Sequence, residues 1–136
     1  MNWLFDLALS RARRPGDLTL WRLSISTVNH SADTALITAN GTRSYGWLAE
    51  RSGQIAAYLQ QQFNIAPGKR VALLLERNAE AIATLFGVLK TGAAYIPVDP
   101  QYPQERIGYM LQDAKVDCIA TTRSLVARFP VSASVP

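Results

Sequence analysis

Apolar residues recur along this chain with two alternating periods, and the alternation outlines its architecture. Ala35-Leu36-Ile37-Thr38 and Thr42-Arg43-Ser44-Tyr45 flank Asn40-Gly41. Asn-Gly tolerates the positive φ angles of a tight turn, so these residues predict a β-hairpin. A helical period follows: Leu48, Ser52, Ile55, Ala56, Leu59 and Phe63 fall on one face. Gln60, Gln61 and Gln62 cover the far side, and Pro67-Gly68 closes the unit. Val71-Ala72-Leu73-Leu74-Leu75 is a continuous apolar run, as expected for a strand covered on both faces in a parallel sheet.

The second half repeats this alternation. Asn78 is placed to cap a second helix, and Glu80 favours its positive end. Ile82, Leu85, Phe86 and Leu89 form the predicted buried face, with Lys90 at the C-terminal end and Gly92 as the stop. Ala94-Tyr95-Ile96-Pro97 reads as a short strand. Pro97 has no N–H to donate, so it belongs at the strand's end or at a sheet edge. Pro103 suits the first position of a third helix, whose stripe is Ile107, Met110, Leu111 and Ala114. Asp117-Cys118-Ile119-Ala120-Thr121 reads as a third strand. Leu125, Val126 and Phe129 predict a last helix, stopped by Pro130.

Ahead of the hairpin, Trp3, Leu4, Leu7 and Ala8 have helical spacing up to Pro15-Gly16, and Trp21, Leu23 and Ile25 alternate as in a strand. The expected organisation is an N-terminal extension over residues 1–30, a subdomain over 31–130 and a tail over 131–136. The fold class is α/β: a partial doubly wound sheet with flanking helices, preceded by a β-hairpin.

Composition narrows the function classes. The chain has 136 residues, 49% of them hydrophobic and 18% charged, which fits one globular domain with its own core. Its net charge of +4 comes with no stripe of interleaved basic and aromatic residues, so no nucleic-acid partner is expected. No run approaches the ~20 apolar residues of a membrane helix. The start places Trp3, Leu4 and Phe5 ahead of Arg11, Arg13 and Arg14, the reverse of a signal peptide. The single cysteine, Cys118, sits in an apolar stretch and reads as a buried thiol in a reducing, cytoplasmic setting. His30 stands alone, without a second histidine or a nearby cysteine to build a metal site or a dyad.

Three stretches carry a family resemblance. Ser44-Tyr45-Gly46-Trp47-Leu48 resembles the first core motif of the adenylation domains of nonribosomal peptide synthetases, a Ser/Thr-Tyr pair followed by Glu-Leu, with Trp47 where Glu is usual. Leu89-Lys90-Thr91-Gly92-Ala93-Ala94-Tyr95-Ile96-Pro97-Val98-Asp99 is similar to the pattern Leu-Lys-Ala-Gly-x-Ala-Tyr-x-Pro-hydrophobic-Asp, with Thr91 in place of Ala. Tyr102-Pro103-Gln104-Glu105-Arg106-Ile107 through Met110-Leu111-Gln112-Asp113-Ala114 resembles the segment that follows. The resemblance covers roughly residues 32–122 and implies the N-terminal part of a larger adenylation-domain fold.

The resemblance also implies a reaction. Family members join a carboxylate to the α-phosphate of ATP and release pyrophosphate. Most then pass the acyl group to a thiol of a carrier protein or of coenzyme A. They use Mg²⁺, a Gly/Ser/Thr-rich loop and a lysine on a mobile C-terminal domain, and in the family pattern these groups lie beyond residue 136. Thr121-Thr122-Arg123-Ser124 is too poor in glycine to cradle phosphates.

No catalytic, cofactor-binding or metal-ligating residue is therefore expected among these 136. Tyr45, Gly92, Asp99 and Tyr102 are expected to serve structure. The expected function is that of an N-terminal part of an amino-acid-activating enzyme, inactive alone, with ATP and Mg²⁺ needed only by the whole unit. The alternative is a non-catalytic interaction module, or one half of a split enzyme that needs a partner chain. Either way, uncovered apolar surface should favour self-association or docking to the remainder of the domain.

Overall fold

A computed structural model describes residues 30–129. The expected N-terminal helix and strand, the stop at Pro130 and the tail lie outside the described residues. The element order is β1 (Thr34–Thr38), β2 (Gly41–Ser44), α1 (Tyr45–Phe63), β3 (Arg70–Leu74), α2 (Ala79–Lys90), β4 (Ala94–Val98), α3 (Gln104–Asp113), β5 (Cys118–Thr121) and α4 (Arg123–Arg128). The expected α/β alternation is present.

β1 and β2 form an antiparallel hairpin with Thr38 paired to Gly41. The turn differs from the expected one. Only Gly41 takes a positive φ, +113°, and Asn40 does not, so Asn40-Gly41 is not a pair of left-handed turn residues. The Thr38 hydroxyl closes the turn on the Gly41 carbonyl at 2.9 Å. Tyr45 does not end the second strand; it opens α1, because Ser44 accepts the Trp47 N–H and caps the helix there. The Tyr45 and Gly46 N–H groups donate to Asp33 and Ser31 carbonyls at 3.0 and 2.8 Å. A Cβ on Gly46 would stand 3.0 Å from that Ser31 oxygen, so this approach of hairpin to helix favours glycine.

α1 ends earlier than Pro67-Gly68. Asn64 takes the left-handed conformation at φ +51°, and the Ile65 N–H returns to the Leu59 carbonyl at 3.2 Å. This is a Schellman closure, and Ile65 buries beside Leu59 in one apolar cluster. Gly68, at φ +90°, serves the turn into β3 instead.

β3, β4 and β5 form a parallel sheet in the order β4-β3-β5. Period-two alternation sends Val71 and Leu73 to one face of β3 and Ala72 and Leu74 to the other. The first pair packs with Leu59, Ile65, Val88 and Cys118 under α1 and α2. The second pair packs with Val98, Ile107, Leu111 and Leu125 over α3 and α4. The result is a three-layer α/β/α sandwich. Pro97 lies on β4, an edge of the described sheet, where a missing N–H costs no ladder bond.

The helices correct two expectations. Asn78 does cap α2, accepting the Ala81 N–H at 2.9 Å. Its deepest face, however, is Ala83, Gly87 and Val88, while Ile82, Leu85, Phe86 and Leu89 are all only half-buried. The reason is the close approach of α1, which presents the small residues Ser52 and Ala56, both buried. A Cβ on Gly87 would lie 2.7 Å from Ile55 Cγ2 and 2.9 Å from Ile55 Cβ. Bulkier residues are displaced to the flanks of that contact. Pro103 stands one position outside α3, as its cap residue. In the last two helices and the residue after them Ile107, Leu111, Leu125 and Phe129 are buried, and Val126 faces solvent.

The close contact at Gly87 is testable by adding one methyl group. Gly87→Ala places it against Ile55 Cβ, which no rotamer change moves. Overpacking costs about 1–3 kcal/mol, against a helix-propensity gain of up to about 1 kcal/mol. Net destabilisation of about 1–2 kcal/mol is expected in urea unfolding; a variant as stable as the parent contradicts this packing.

Asp117 ties the start of β5 to β3. Its carboxylate accepts from Lys69 Nζ and from the Arg70 N–H, each at 2.9 Å. The Lys69 hydrogen bond, followed by the Arg70 N–H, holds its pKa below the ordinary aspartate value. A depressed folded pKa stabilises the fold above the unfolded value and loses that effect as pH falls through the folded pKa. Asp117→Asn should therefore lower the urea midpoint near neutral pH, and the gap to the parent should narrow below about pH 4. A gap independent of pH contradicts the assignment.

Candidate functional site

In a doubly wound sheet, ligands gather at the carboxyl ends of the strands, where successive connections diverge. Here the chain passes from β3 to β4 on one side, then crosses to β5 on the other, so the divergence lies between β3 and β5. The loops at that end are residues 75–78, 99–103 and 122. Three of their polar side chains, those of Asn78, Asp99 and Thr122, are engaged locally. Asn78 caps α2. Asp99 Oδ1 accepts the Gln101 N–H at 2.9 Å, and the Asp99 carbonyl accepts from Tyr102 at 3.1 Å, which makes an Asx-type turn. Thr122 caps α4 and lies 2.9 Å from the Ser124 hydroxyl. Glu76 and Arg77 are exposed.

The other residues singled out by sequence hold the scaffold. Gly92 adopts φ +81°, and a Cβ there would meet Pro67 Cγ at 2.8 Å. Thr91 donates its hydroxyl to the Val88 carbonyl at 2.6 Å and accepts the Ala93 N–H at 3.2 Å. Lys90 turns back across α1 to donate to the Ala49 carbonyl at 2.9 Å, and partial burial lowers its pKa. Tyr102 packs on the cluster beneath α3 and α4, with the Arg106 guanidinium 4.4 Å from its ring centroid. Trp47, at the usual Glu position of the first motif, lies under the Arg43 guanidinium at 5.3 Å.

His30 is exposed and pairs with Asp33 at 3.0 Å. Cys118 is buried, and burial pushes its thiol pKa up, the opposite of an activated nucleophile. Among the described residues no group of three or more His, Cys, Asp or Glu could hold a metal ion, and no helix is long and apolar enough to cross a membrane.

A concavity lies elsewhere. A hollow of about 540 Å³ opens between α1 and β5, with Ile55, Leu59 and Leu75 among its walls and Cys118 and Ala120 contributed by the strand. Tyr58 and Phe63 also line it, edge to face with ring centroids 5.8 Å apart; they are 58% and 38% exposed. Arg51, Gln54 and Thr84 supply polar walls, and Arg51 is anchored to Glu80 at 2.9 Å. Thr121 also lines the hollow, and its buried hydroxyl has no hydrogen-bond partner among the described residues. The sequence predicts uncovered apolar surface but not its place. The available signal was an uncharged strand, Cys118-Ile119-Ala120-Thr121, beside a helix whose apolar face runs on to Phe63.

Comparison with known proteins agrees with this geometry. The family model of AMP-binding enzymes matches residues 25–135. A dimodular nonribosomal peptide synthase of Bacillus subtilis is 47% identical over 92 residues, which are 68% of this chain and 4% of that protein. Tyrocidine synthase 3 of Brevibacillus parabrevis is 35% identical over 125 residues, 91% of this chain and 2% of its own length. Among solved structures, a four-domain nonribosomal peptide synthetase bound to AMP and glycine matches with a TM-score of 0.75 and 33% identity, over 85% of this chain and 8% of that one. A benzoate CoA ligase of Burkholderia xenovorans shares the fold at a TM-score of 0.75 and 21% identity, over 84% of this chain and 24% of that chain. The chain thus spans a small share of each protein it matches. On the family match and the shared fold together, it belongs to the AMP-binding enzymes and corresponds to the N-terminal portion of their AMP-binding domain.

Proposed function

We propose that this chain supplies the N-terminal scaffold of an adenylation unit that activates an amino acid, or a similar carboxylic acid, with ATP for nonribosomal peptide or siderophore assembly. The observation that carries this reading is the match to nonribosomal peptide synthetases in sequence and in fold. In the reaction, a carboxylate oxygen bonds to the α-phosphorus of ATP and pyrophosphate leaves, giving the acyl adenylate. The acyl group then passes to the thiol of a carrier protein.

The contribution of these residues is mechanical. β3, β4 and β5 set the carboxyl edge of the sheet. The Leu89–Pro100 motif fixes the path from α2 through β4 into the next loop by a glycine stop, a strand and an Asx turn. Asn78, Asp99 and Thr122 at that edge are held in caps and turns, and in this reading phosphate binding and charge neutralisation are assigned to parts of the unit outside residues 30–129. A cytoplasmic location, with ATP, Mg²⁺ and a carrier protein as the unit's ligands and partner, belongs to the same proposal.

The test is pyrophosphate exchange with a panel of amino acids. The 136-residue chain alone is expected at background. Fused to the remainder of the adenylation domain of the Bacillus subtilis dimodular synthase, it is expected to give exchange that depends on one or a few amino acids. Exchange by the chain alone, or none by the correctly folded fusion, refutes the reading.

A further inference from the structure

The tip of the hairpin holds a reactive pair that packing does not use. Ala39, Asn40 and Gly41 are all exposed. A Cβ on Gly41 would find nothing within 4 Å beyond its chain neighbours. An asparagine side chain can close on the backbone nitrogen of the next residue. A side chain on that next residue obstructs the approach, and glycine, with its wide range of backbone angles, removes the obstruction.

The other asparagines among the described residues are placed differently. Asn64 is followed by Ile65, which is β-branched and buried. The Ile65 N–H is also bonded to the Leu59 carbonyl at 3.2 Å. Asn78 gives its carboxamide oxygen to the Ala81 N–H at 2.9 Å and is followed by Ala79. Only Asn40 combines an exposed carboxamide with a following glycine.

We propose that Asn40 is a modification site, converting through a succinimide to aspartate and isoaspartate. In the first step the Gly41 nitrogen bonds to Asn40 Cγ and gives up its proton, and the carboxamide nitrogen leaves as ammonia. In the second step water adds to one of the two ring carbonyls. Addition at Cγ breaks the new bond and leaves aspartate in a normal peptide. Addition at the main-chain carbonyl breaks the original peptide bond and leaves isoaspartate, joined to Gly41 through Cγ. One water is consumed and one ammonia released, with no change of oxidation state. Either product puts a carboxylate into a turn that was uncharged. The isoaspartyl form also lengthens the backbone by one carbon. Thr38 pairs with Gly41 across only Ala39 and Asn40, so that extra carbon displaces the pairing and the bond from the Thr38 hydroxyl to the Gly41 carbonyl.

The experiment holds the folded 136-residue chain in mildly alkaline buffer at body temperature for several weeks, beside a sample unfolded in guanidinium chloride. The folded sample is expected to gain one dalton at Asn40, as OH replaces NH₂. It should also become a methyl acceptor for an isoaspartyl methyltransferase supplied with S-adenosylmethionine. The tryptic peptide Leu23–Arg43 contains both Asn29 and Asn40, so its fragmentation spectrum places the gain. Asn64 and Asn78 should be unchanged over the same period. Asn40→Gln keeps the carboxamide but would have to close a six-membered ring. It should show no gain at position 40, and its unfolding midpoint should match that of the unaged parent.

Conversion at Asn40 in the unfolded sample but not in the folded one overturns the proposal, because the hairpin then keeps the carboxamide away from Gly41. No conversion in either sample also overturns it. So does a gain that falls first on Asn64 or Asn78. A gain at position 40 that persists at the parent's rate in Asn40→Gln excludes closure on the Gly41 nitrogen, with the same consequence.

Discussion

Everything in this subdomain is arranged to keep water from β3. Val71, Ala72 and Leu74 are fully buried and Leu73 nearly so, on a strand of five residues. Full burial of an aliphatic side chain is worth about 1.5–3 kcal/mol, but only if both faces of the strand are covered. One face requires α1 and α2, the other α3 and α4. Both neighbouring strands must also run parallel, because each connection returns through a helix. The alternation of periods in the sequence is the signature of that single requirement.

Covering β3 raises a second demand, that α1 and α2 share one face without forcing each other off it. The solution is a contact of small residues, with Ser52 and Ala56 on α1 and Ala83 and Gly87 on α2. Ser52 keeps its hydroxyl satisfied by donating to the Leu48 carbonyl at 2.6 Å, so a polar atom is buried there without an open bond. Lys90 and the Arg51–Glu80 pair then bridge the same two helices nearer solvent. The conspicuous motif after α2 continues this arrangement. Gly92 turns the chain against Pro67, and Asp99 turns it again after β4. Its residues read as a signature because the path of the chain leaves few alternatives at each step.

Element types and order are legible in the sequence because periodicity follows directly from which faces are covered. Asn78, Gly92 and Pro97 likewise do what their local chemistry dictates. The deepest face of α2 is not legible from hydrophobic bulk, because helices in close contact bury their smallest residues and push large ones aside. Cap chemistry also overrides the strand and turn patterns. Ser44 converts Tyr45 from a strand end to a helix start, and Asn64 ends α1 before Pro67-Gly68 is reached. The hollow beside β5 has no sequence address, since it depends on how far α1 projects over the sheet, which no local pattern encodes.

The edges of the sheet connect these packing rules to family membership. A strand edge without charge or proline, beside exposed aromatic side chains, is a hazard in a free-standing domain. Here the opposite edge carries Pro97 while β5 carries no equivalent, although both are short strands of the same sheet. A domain built only to be soluble would gain from guarding both. The same division appears in the chemistry. Asn78, Asp99 and Thr122 at the carboxyl edge are engaged in caps and turns, while a buried hydroxyl without a partner among the described residues, Thr121 Oγ1, sits on the unguarded strand. The two edges of one small sheet are thus guarded unequally, by Pro97 on β4 and by neither proline nor charge on β5.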